Sequence, residues 1–196
     1  MQKCKRDAIL DEAKTLFHMK GFAAVGTAEI CEKASINRGT LYHFFPSKNN
    51  LFLACLDAYV ESLRQTIMGV TAGKCSSRRK LSKLFGLVSN SIAEQVKNAG
   101  FYKGCFLANS LETCGHEEVR AALISHSERL IMTIEPIVVG LKNEENLAEI
   151  SSRRGAEIIY SIWQSSVHLG RLYQDAKRVG DMEEVALAAL TSKCKL

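Results

Sequence analysis

The chain has 196 residues, 46% of them hydrophobic and 24% charged, a balance that excludes a disordered or collagen-like protein. Its 26 basic and 21 acidic residues give a net charge of +5, a mild excess that permits an anionic partner without identifying it. No run of about 20 apolar residues occurs, and charges interrupt the start of the chain where a signal peptide needs apolar residues. We therefore expect a soluble, cytoplasmic protein with no membrane partner.

The cysteine pattern argues against a disulfide framework and against a zinc site. The seven cysteines are odd in number, and none belongs to a CxxC motif or to a Cys/His pair with metal-ligand spacing. Reduced thiols are expected, with no metal and no cofactor.

The first predicted helix covers residues 6–19, because its apolar side chains recur on one face of a 3.6-residue period. Gly21 is expected to end it. A short second helix follows, for which Thr27 offers an N-cap hydroxyl. A tight break is expected at Ser35 and Ile36.

A third short helix is predicted from Arg38 to Phe44 or Phe45, with Asn37 as its N-cap and Pro46 as its stop. The fourth predicted helix is long, covers about 47–68 and is capped by Ser47. A loop-like stretch at 69–77 follows it.

The rest of the chain also has helical periodicity and no strand signal, so an all-α fold is predicted. One amphipathic helix begins before Leu81 and ends near Gly100, and Pro136 is expected to kink or divide a later helix. Asp181 and Glu184 resemble a capping box that starts a terminal helix. The further helical segments are expected at about 103–114, 117–141 and 147–173.

Two short helices joined by a tight turn, with a packing helix before them and a long helix after them, describe a helix-turn-helix unit. Such a unit presents the start of its second helix to the DNA major groove. Four side chains of that helix offer donors or acceptors, whereas Leu41 and Phe45 lie four residues apart and point inward. The four are Arg38, Thr40, Tyr42 and His43.

Two further residues fit a DNA-binding role. Gly39 is a poor helix former, so it indicates either close approach of the backbone to a partner or simple tolerance in a packed helix. Lys48 combines an ammonium group with free backbone N–H groups at a helix start, which suits a phosphate, and Thr27 has the same geometry.

This region resembles the TetR family of transcriptional repressors over residues 6 to about 60. The resemblance rests on Ala13-Lys-Thr-Leu-Phe17, on Gly21 and Thr27, and on Thr40-Leu-Tyr-His-Phe-Phe-Pro-Ser-Lys48. It departs from the family at Ser35, where a glycine is usual, and at Phe44, where His or Tyr is frequent. The resemblance implies that the following residues meet DNA: Thr27, Arg38, Gly39, Thr40, Tyr42, His43 and Lys48.

An alternative explanation is an aromatic core formed by residues 42–45 beside a solvated Lys48. For Phe45 a core position is expected. A core would not require Arg38, Thr40 and Lys48 at these offsets, so DNA binding is favoured for the set.

The resemblance also implies a division into a three-helix DNA-binding domain, residues 1–48, and a helical effector-binding and dimerisation domain, residues 49–196. An apolar stripe from Ile158 to Leu169 is too wide for a simple surface helix, and Ser161, Ser165 and Gly170 would admit a close neighbour. The stripe fits either a homodimer interface or a buried central helix of a monomer. The family pattern favours the homodimer.

The segment around Gly104 and Cys105 resembles TetR-family members that sense electrophiles and oxidants. In those proteins the cysteine can be the sensor, near a lysine of a later helix, where this chain has Arg171. A neighbouring cation would lower the thiol pKa, although Cys105 as a small buried hydrophobe is an equally weighted alternative. The predicted sensor or ligand pocket contains Cys105, Phe106, Asn109, Trp163 and Arg171.

These observations predict a homodimeric repressor that binds palindromic double-stranded operator DNA and is released by a small hydrophobic or electrophilic effector, or by modification of Cys105. One alternative is a constitutive DNA-binding factor with a filled core. A thiol-dependent helical enzyme is the other, but no Cys/His/Asn or GxSxG constellation supports it, so no enzyme is expected.

Overall fold

The structure is a computed structural model and describes residues 5–113, 115–145, 147 and 150–191. Over these residues the chain forms nine α-helices and two short 3-10 turns, with no β-strand. The predicted all-α class is therefore confirmed. The helices are α1 (Lys5–Ala24), α2 (Thr27–Lys33), α3 (Arg38–Phe44), α4 (Lys48–Thr71), α5 (Ser77–Ala99), α6 (Phe106–Asn109), α7 (Glu117–Glu145), α8 (Ser152–Tyr173) and α9 (Met182–Thr191).

The helices belong to two compact units, each with its own core. The first unit comprises the described parts of Met1–Ser62 and Cys105–His126, and the second those of Leu63–Gly104 and Ser127–Leu196. Both units therefore draw on separate stretches of sequence, and α4 and α7 each contribute residues to both. The functional division at residues 48 and 49 concerns DNA-binding and effector roles, and it stays a prediction.

The N-terminal helices agree with their predicted positions, with two differences. Gly21 does not simply end α1 but bends it, with a φ of 78° and a ψ of 164° that L side chains rarely adopt. Thr27 is the first residue of α2, and Gly26 in extended conformation is its N-cap, without a side-chain hydrogen bond. The prediction that the Thr27 hydroxyl caps α2 is thus wrong, because the chain enters the helix one residue earlier.

The later helices differ more from the predictions. The segment predicted at 103–114 is helical only from Phe106, as the short α6 followed by a 3-10 turn at Ser110–Thr113. Pro136 does not divide α7, which continues on both sides of it to Glu145. Ser151 caps α8 by accepting a hydrogen bond from the Arg154 amide at 3.1 Å, so this helix starts later than residue 147.

Three buried aromatic rings and the half-buried ring of Phe22 form the core of the first unit. Phe52 of α4 meets Phe17 of α1 edge-on, with ring centroids 5.1 Å apart, and Phe22 at 5.0 Å. Phe106 of α6 meets Phe52 at 5.7 Å and nearly at right angles. Edge-to-face pairs of this kind add about 0.5–1.5 kcal/mol each to the apolar burial. They fix α1, α4 and α6 against one another.

The second unit packs α5, α8 and α9 closely. Trp163 of α8 is buried, and its Nε1–H donates to the carbonyl of Leu84 in α5 at 3.2 Å. Gly170 lies so close to α5 that a Cβ there would be 2.3 Å from Ile92 Cδ1. A side chain at residue 170 would therefore require the buried Ile92 side chain or one of the two helices to shift.

We expect Gly170→Ala to lower the free energy of unfolding by about 1–3 kcal/mol, because the added methyl group overlaps Ile92. The matched control is Gly86→Ala in the interior of α5, where nothing lies within 4 Å of the added atom. This control should raise stability by about 0.5–1 kcal/mol, since alanine is the better helix former. Chemical denaturation measures both. Equal effects of the two substitutions would contradict the close α5–α8 packing.

Candidate nucleic-acid interface

The start of α3 is capped as predicted. Asn37 has an extended backbone, and its Oδ1 accepts a hydrogen bond from the Thr40 amide at 2.7 Å. The carbonyl of Asn37 also accepts from the Leu41 amide at 3.2 Å. These bonds define the first turn of α3, the part of a helix-turn-helix that faces bases.

The turn between α2 and α3 is a Schellman motif with a serine in the left-handed position. The amide of Ser35 donates to the Glu32 carbonyl at 3.1 Å, and the amide of Ile36 donates to the Cys31 carbonyl at 2.9 Å. Ser35 has a φ of 52°, the uncomfortable angle expected where the family has glycine. The turn geometry is therefore kept despite the substitution.

One face of α3 is open to solvent and the other is buried. Arg38, Gly39 and His43 are exposed, and Tyr42 is 46% exposed, whereas Thr40 is half-buried. The inward-facing Leu41 and Phe45 are buried, as predicted. The polar side chains assigned to DNA thus share an accessible surface, and residues 42–45 do not form a common aromatic core.

Gly39 has a neighbour within its own helix start. A Cβ at this position would lie 3.3 Å from Oδ1 of Asn37, tighter than most Cβ contacts. The glycine therefore leaves room for the cap as well as for any partner. Room for the Asn37 cap is a third explanation for Gly39, beside close approach to a partner and tolerance in a packed helix.

Lys48 is the first residue of α4 and lies over an aromatic ring. Its Nζ is 4.3 Å from the centroid of Phe22, a cation–π distance, and burial lowers the pKa of its ammonium group from the usual value. Ser47 precedes it and accepts from the Asn50 amide at 3.0 Å, which confirms the predicted cap. The ring of Phe22 therefore helps to position this cation.

Sequence reasoning missed two parts of this surface. One is Phe22 as a support for Lys48, and the other is Arg6, whose guanidinium lies 5.3 Å from the ring centroid of Phe45. Arg6 is exposed and comes from the first turns of α1. Both are cation–ring pairs between residues distant in sequence, which no local pattern could indicate.

The predicted sensor residues are divided between the two units. Cys105, Phe106 and Asn109 belong to the first unit, and Trp163 and Arg171 belong to the second. Trp163 is buried against α5, as described above, and Arg171 is exposed near the end of α8. The grouping of these five residues in one pocket stays a prediction.

Cys105 has the surroundings of a protonated thiol. It is 3% exposed, and burial raises the pKa of its thiol, while a hydrogen bond with the Tyr59 side chain lowers it by a smaller amount. The adjacent Phe106 is buried between His18 and Tyr59, with ring centroids 5.4 and 5.7 Å away. This environment differs from the thiolate-favouring one that a nearby cation would create.

Neither a metal-binding cluster nor a membrane-spanning helix occurs in the described part of the chain. No group of three or more His, Cys, Asp or Glu side chains there is arranged to hold a metal ion. None of its helices combines the length and the apolar character that crossing a membrane requires.

Helices α2 and α3 are short and are joined by a tight turn. The first turn of α3 is capped, and the outer face of α3 is exposed. This arrangement defines a helix-turn-helix domain, a class of DNA-binding module. Residues 9–55 match the family model of the bacterial regulatory proteins of the tetR family. Residues 9–55 therefore form a helix-turn-helix domain of the tetR type.

The curated relatives carry regulatory names. The HTH-type transcriptional repressor ComR of Escherichia coli (strain K12) is 30% identical over 109 residues, which are 55% of this chain. That match covers 50% of ComR, so this chain spans about half the length of that relative. The HTH-type transcriptional repressor NemR of the same strain is 21% identical over 81% of this chain and 79% of its own length.

Solved structures share the fold over almost the whole chain. The reduced form of E. coli NemR superposes with a TM-score of 0.84 and 16% identity, covering 98% of this chain and 99% of that one. A cysteine mutant of the TetR family transcriptional regulator CifR, complexed with 26-base-pair double-strand operator DNA, superposes with a TM-score of 0.76. Its identity is 21%, with 94% of this chain and 95% of that chain covered.

We expect Asn37→Ala to lower the free energy of unfolding by about 1 kcal/mol, because the Thr40 amide loses its acceptor. Asn37→Ser is the control, since a serine oxygen restores most of the cap. Hydrogen exchange at the Thr40 amide is the local measurement and should speed up in the alanine variant alone. Unchanged exchange in that variant would contradict the cap.

The burial of Cys105 predicts slow alkylation. At pH 8, iodoacetamide should modify the half-buried Cys75 about tenfold faster than Cys105 or Cys55, since only thiolates react and burial raises the pKa of Cys55 to about 12. Peptide-resolved mass spectrometry gives the three rates, and unfolding in urea should equalise them. If Cys105 reacted fastest in the native protein, the thiolate-sensor prediction would be favoured over burial.

Proposed function

We propose that this protein is a TetR-type transcriptional regulator that binds double-stranded operator DNA and is released from it by a small effector. The observation that carries the proposal is the exposed outer face of α3 behind its Asn37 cap, with Lys48 at the start of the next helix. The names of the relatives, ComR and NemR as repressors, support the repressor sense.

The residues of this surface divide between two roles. Arg38, Thr40 and His43 are near the first turns of α3 and are the ones we assign to base edges, with Gly39 allowing close approach. Tyr42, Lys48 and Thr27 are assigned to phosphates, which position the domain without reading sequence. A guanidinium such as Arg38 suits the two acceptors of guanine in the major groove.

A homodimer is part of the proposal. One recognition helix reads only a few base pairs, and two copies placed about 34–36 Å apart would read both halves of a palindrome. The second unit offers features that suit pairing with another copy. Ser161 and Ser165 of α8 are exposed small residues, and Leu172, Tyr173 and Val185 are exposed apolar ones. Together they support an apolar interface that helices can approach closely.

Release of DNA requires an effector that binds one conformation better than the other. We assign the effector role to residues 49–196 and the DNA-binding role to residues 1–48. Modification of Cys105 is a second route to release, because an adduct on this buried thiol would displace Phe106 from its place beside His18 of α1. A small hydrophobic compound would suit the first route, and an electrophilic compound that alkylates the thiol would suit the second.

The test is binding of the full-length protein to a library of random DNA duplexes, followed by fluorescence anisotropy on the selected duplex. Arg38→Ala should relax the preference at one base pair, at a cost of about 1–3 kcal/mol. Lys48→Met should weaken all duplexes alike and reduce the slope of log K against log salt by about 1. Arg79→Ala, an exposed cation of α5, is the control and should change neither.

Each outcome separates the alternatives. Failure to select any duplex would contradict the proposal and favour an enzyme. Selection of a duplex whose binding no electrophile or hydrophobic compound alters would favour a constitutive factor. If Cys105→Ser released DNA in response to an electrophile as wild type does, the thiol route would be excluded.

A further inference from the structure

The second unit contains an open groove between the last turns of α4 and the middle of α7. It has a volume of about 480 Å³, within the range of small-molecule sites. Its lining residues share one face of each helix, spaced by four positions on α4 and by three, four and seven on α7. They are Arg64, Met68, Arg129, Met132, Thr133 and Pro136, and we call this site the α4–α7 groove.

The floor of the groove is apolar and adaptable. Met68 is 46% exposed and Met132 is 53% exposed, and Pro136 adds a further apolar surface. The two methionines line the same groove, so their exposed side chains contribute to one apolar surface. Because the thioether chain is flexible and polarisable, the two methionines suit apolar ligands of varied outline.

Both charged residues that line the groove are cations. Two of its six lining residues are arginines, one on each helix, and none is acidic. The Arg64 guanidinium lies beside the Met68 sulfur, with Nη1 to Sδ at 3.0 Å, so the cation and the apolar floor are adjacent. A guanidinium has five N–H donors in a planar fork and matches a carboxylate or a phosphate in two-point geometry, whatever other bonds it makes.

We propose that the α4–α7 groove binds an amphipathic organic anion. The acidic head group lies between Arg64 and Arg129, and the apolar part covers Met68, Met132 and Pro136. A straight-chain or aromatic carboxylate of about ten to twenty non-hydrogen atoms fits the volume. This site shares no residue with the pocket predicted around Cys105 and Trp163.

One continuous helix joins the proposed ligand site to the proposed DNA contact. Helix α4 runs without a break from Lys48 to Thr71, so the same helix carries the proposed phosphate contact in its first turn and Arg64 and Met68 in its last turns. An anion that draws Arg64 and Arg129 together changes the position of those last turns against α7. The effector role of the ligand rests on the proposed function, whereas its binding to the groove does not.

The binding test is calorimetric titration of the full-length protein with octanoate, 1-octanol and acetate. Octanoate should bind at least about tenfold more tightly than either of the others, because only it has both the charge and the chain. Arg64→Gln and Arg129→Gln should each weaken octanoate at least about fivefold. Arg79→Gln, which removes an exposed charge elsewhere in the second unit, should leave it unchanged.

The apolar half of the site has its own matched pair. Met132→Gln should weaken octanoate binding, whereas Val139→Gln changes a similarly exposed apolar residue of α7 outside the groove and should have no effect. Circular dichroism and unfolding curves confirm that each variant is folded. If Met132→Gln changed the solution mass from that of a dimer to that of a monomer, a second copy would cover the groove, and the proposal would be overturned.

Two further results of the titration would overturn the inference. Equal affinity for octanoate and 1-octanol would show that the groove is apolar without a preference for anions. Absence of octanoate binding would show that the groove is not a binding site. If octanoate binds and the selected duplex is also bound, octanoate should lower DNA affinity about fivefold or more, and DNA should lower octanoate affinity by the same factor. Failure of wild type to bind any duplex, with octanoate binding intact, would overturn the proposed function and the effector role while supporting the site.

Discussion

The packing of Phe52 against three other aromatic rings is the interaction on which the helix-turn-helix unit depends. Phe17 and Phe22 come from α1 and its bend, and Phe106 comes from a stretch more than fifty residues further along the chain. Because Phe22 also supports Lys48, one cluster positions both the core and a proposed DNA contact. The same cluster contains Phe106, which is adjacent to the buried Cys105. A chemical change at that thiol would therefore disturb the ring packing of the unit that contains α3.

The second unit depends instead on close approach of helix backbones. Gly155 and Gly170 of α8 lie where a Cβ would overlap Val138 and Ile92, and Gly140 of α7 lies against Ser77. Ser77 in turn donates its amide and hydroxyl to the carboxylate of Glu144. Such packing is rigid, because small changes in volume are costly in a close-packed interior. The α4–α7 groove, with its exposed methionines, is by contrast an adaptable surface of this unit.

The sequence predicts a helix cap or a turn correctly where a single local interaction determines the conformation of the residue. Asn37 caps α3 because its side chain mimics a carbonyl acceptor, and Ser35 keeps its left-handed angle because the turn needs it. Predictions were wrong where neighbours compete. Gly26, and not Thr27, is the N-cap of α2. The segment predicted as a helix at 103–114 forms only four residues of α-helix and a 3-10 turn, because rings of other helices hold the buried Phe106.

The sequence by itself determined the all-α class, the helix-turn-helix with its exposed polar residues, and the tetR-type pattern of residues 9–55, because these depend on local periodicity, capping and spacing within about fifty residues. The tertiary structure alone decided which distant residues meet. It placed Lys48 on Phe22 and Arg6 on Phe45, buried Cys105 beside Tyr59, and put Arg64 and Arg129 on the two walls of one groove. The reason is that burial and long-range contacts depend on how whole helices pack, and no short segment records that.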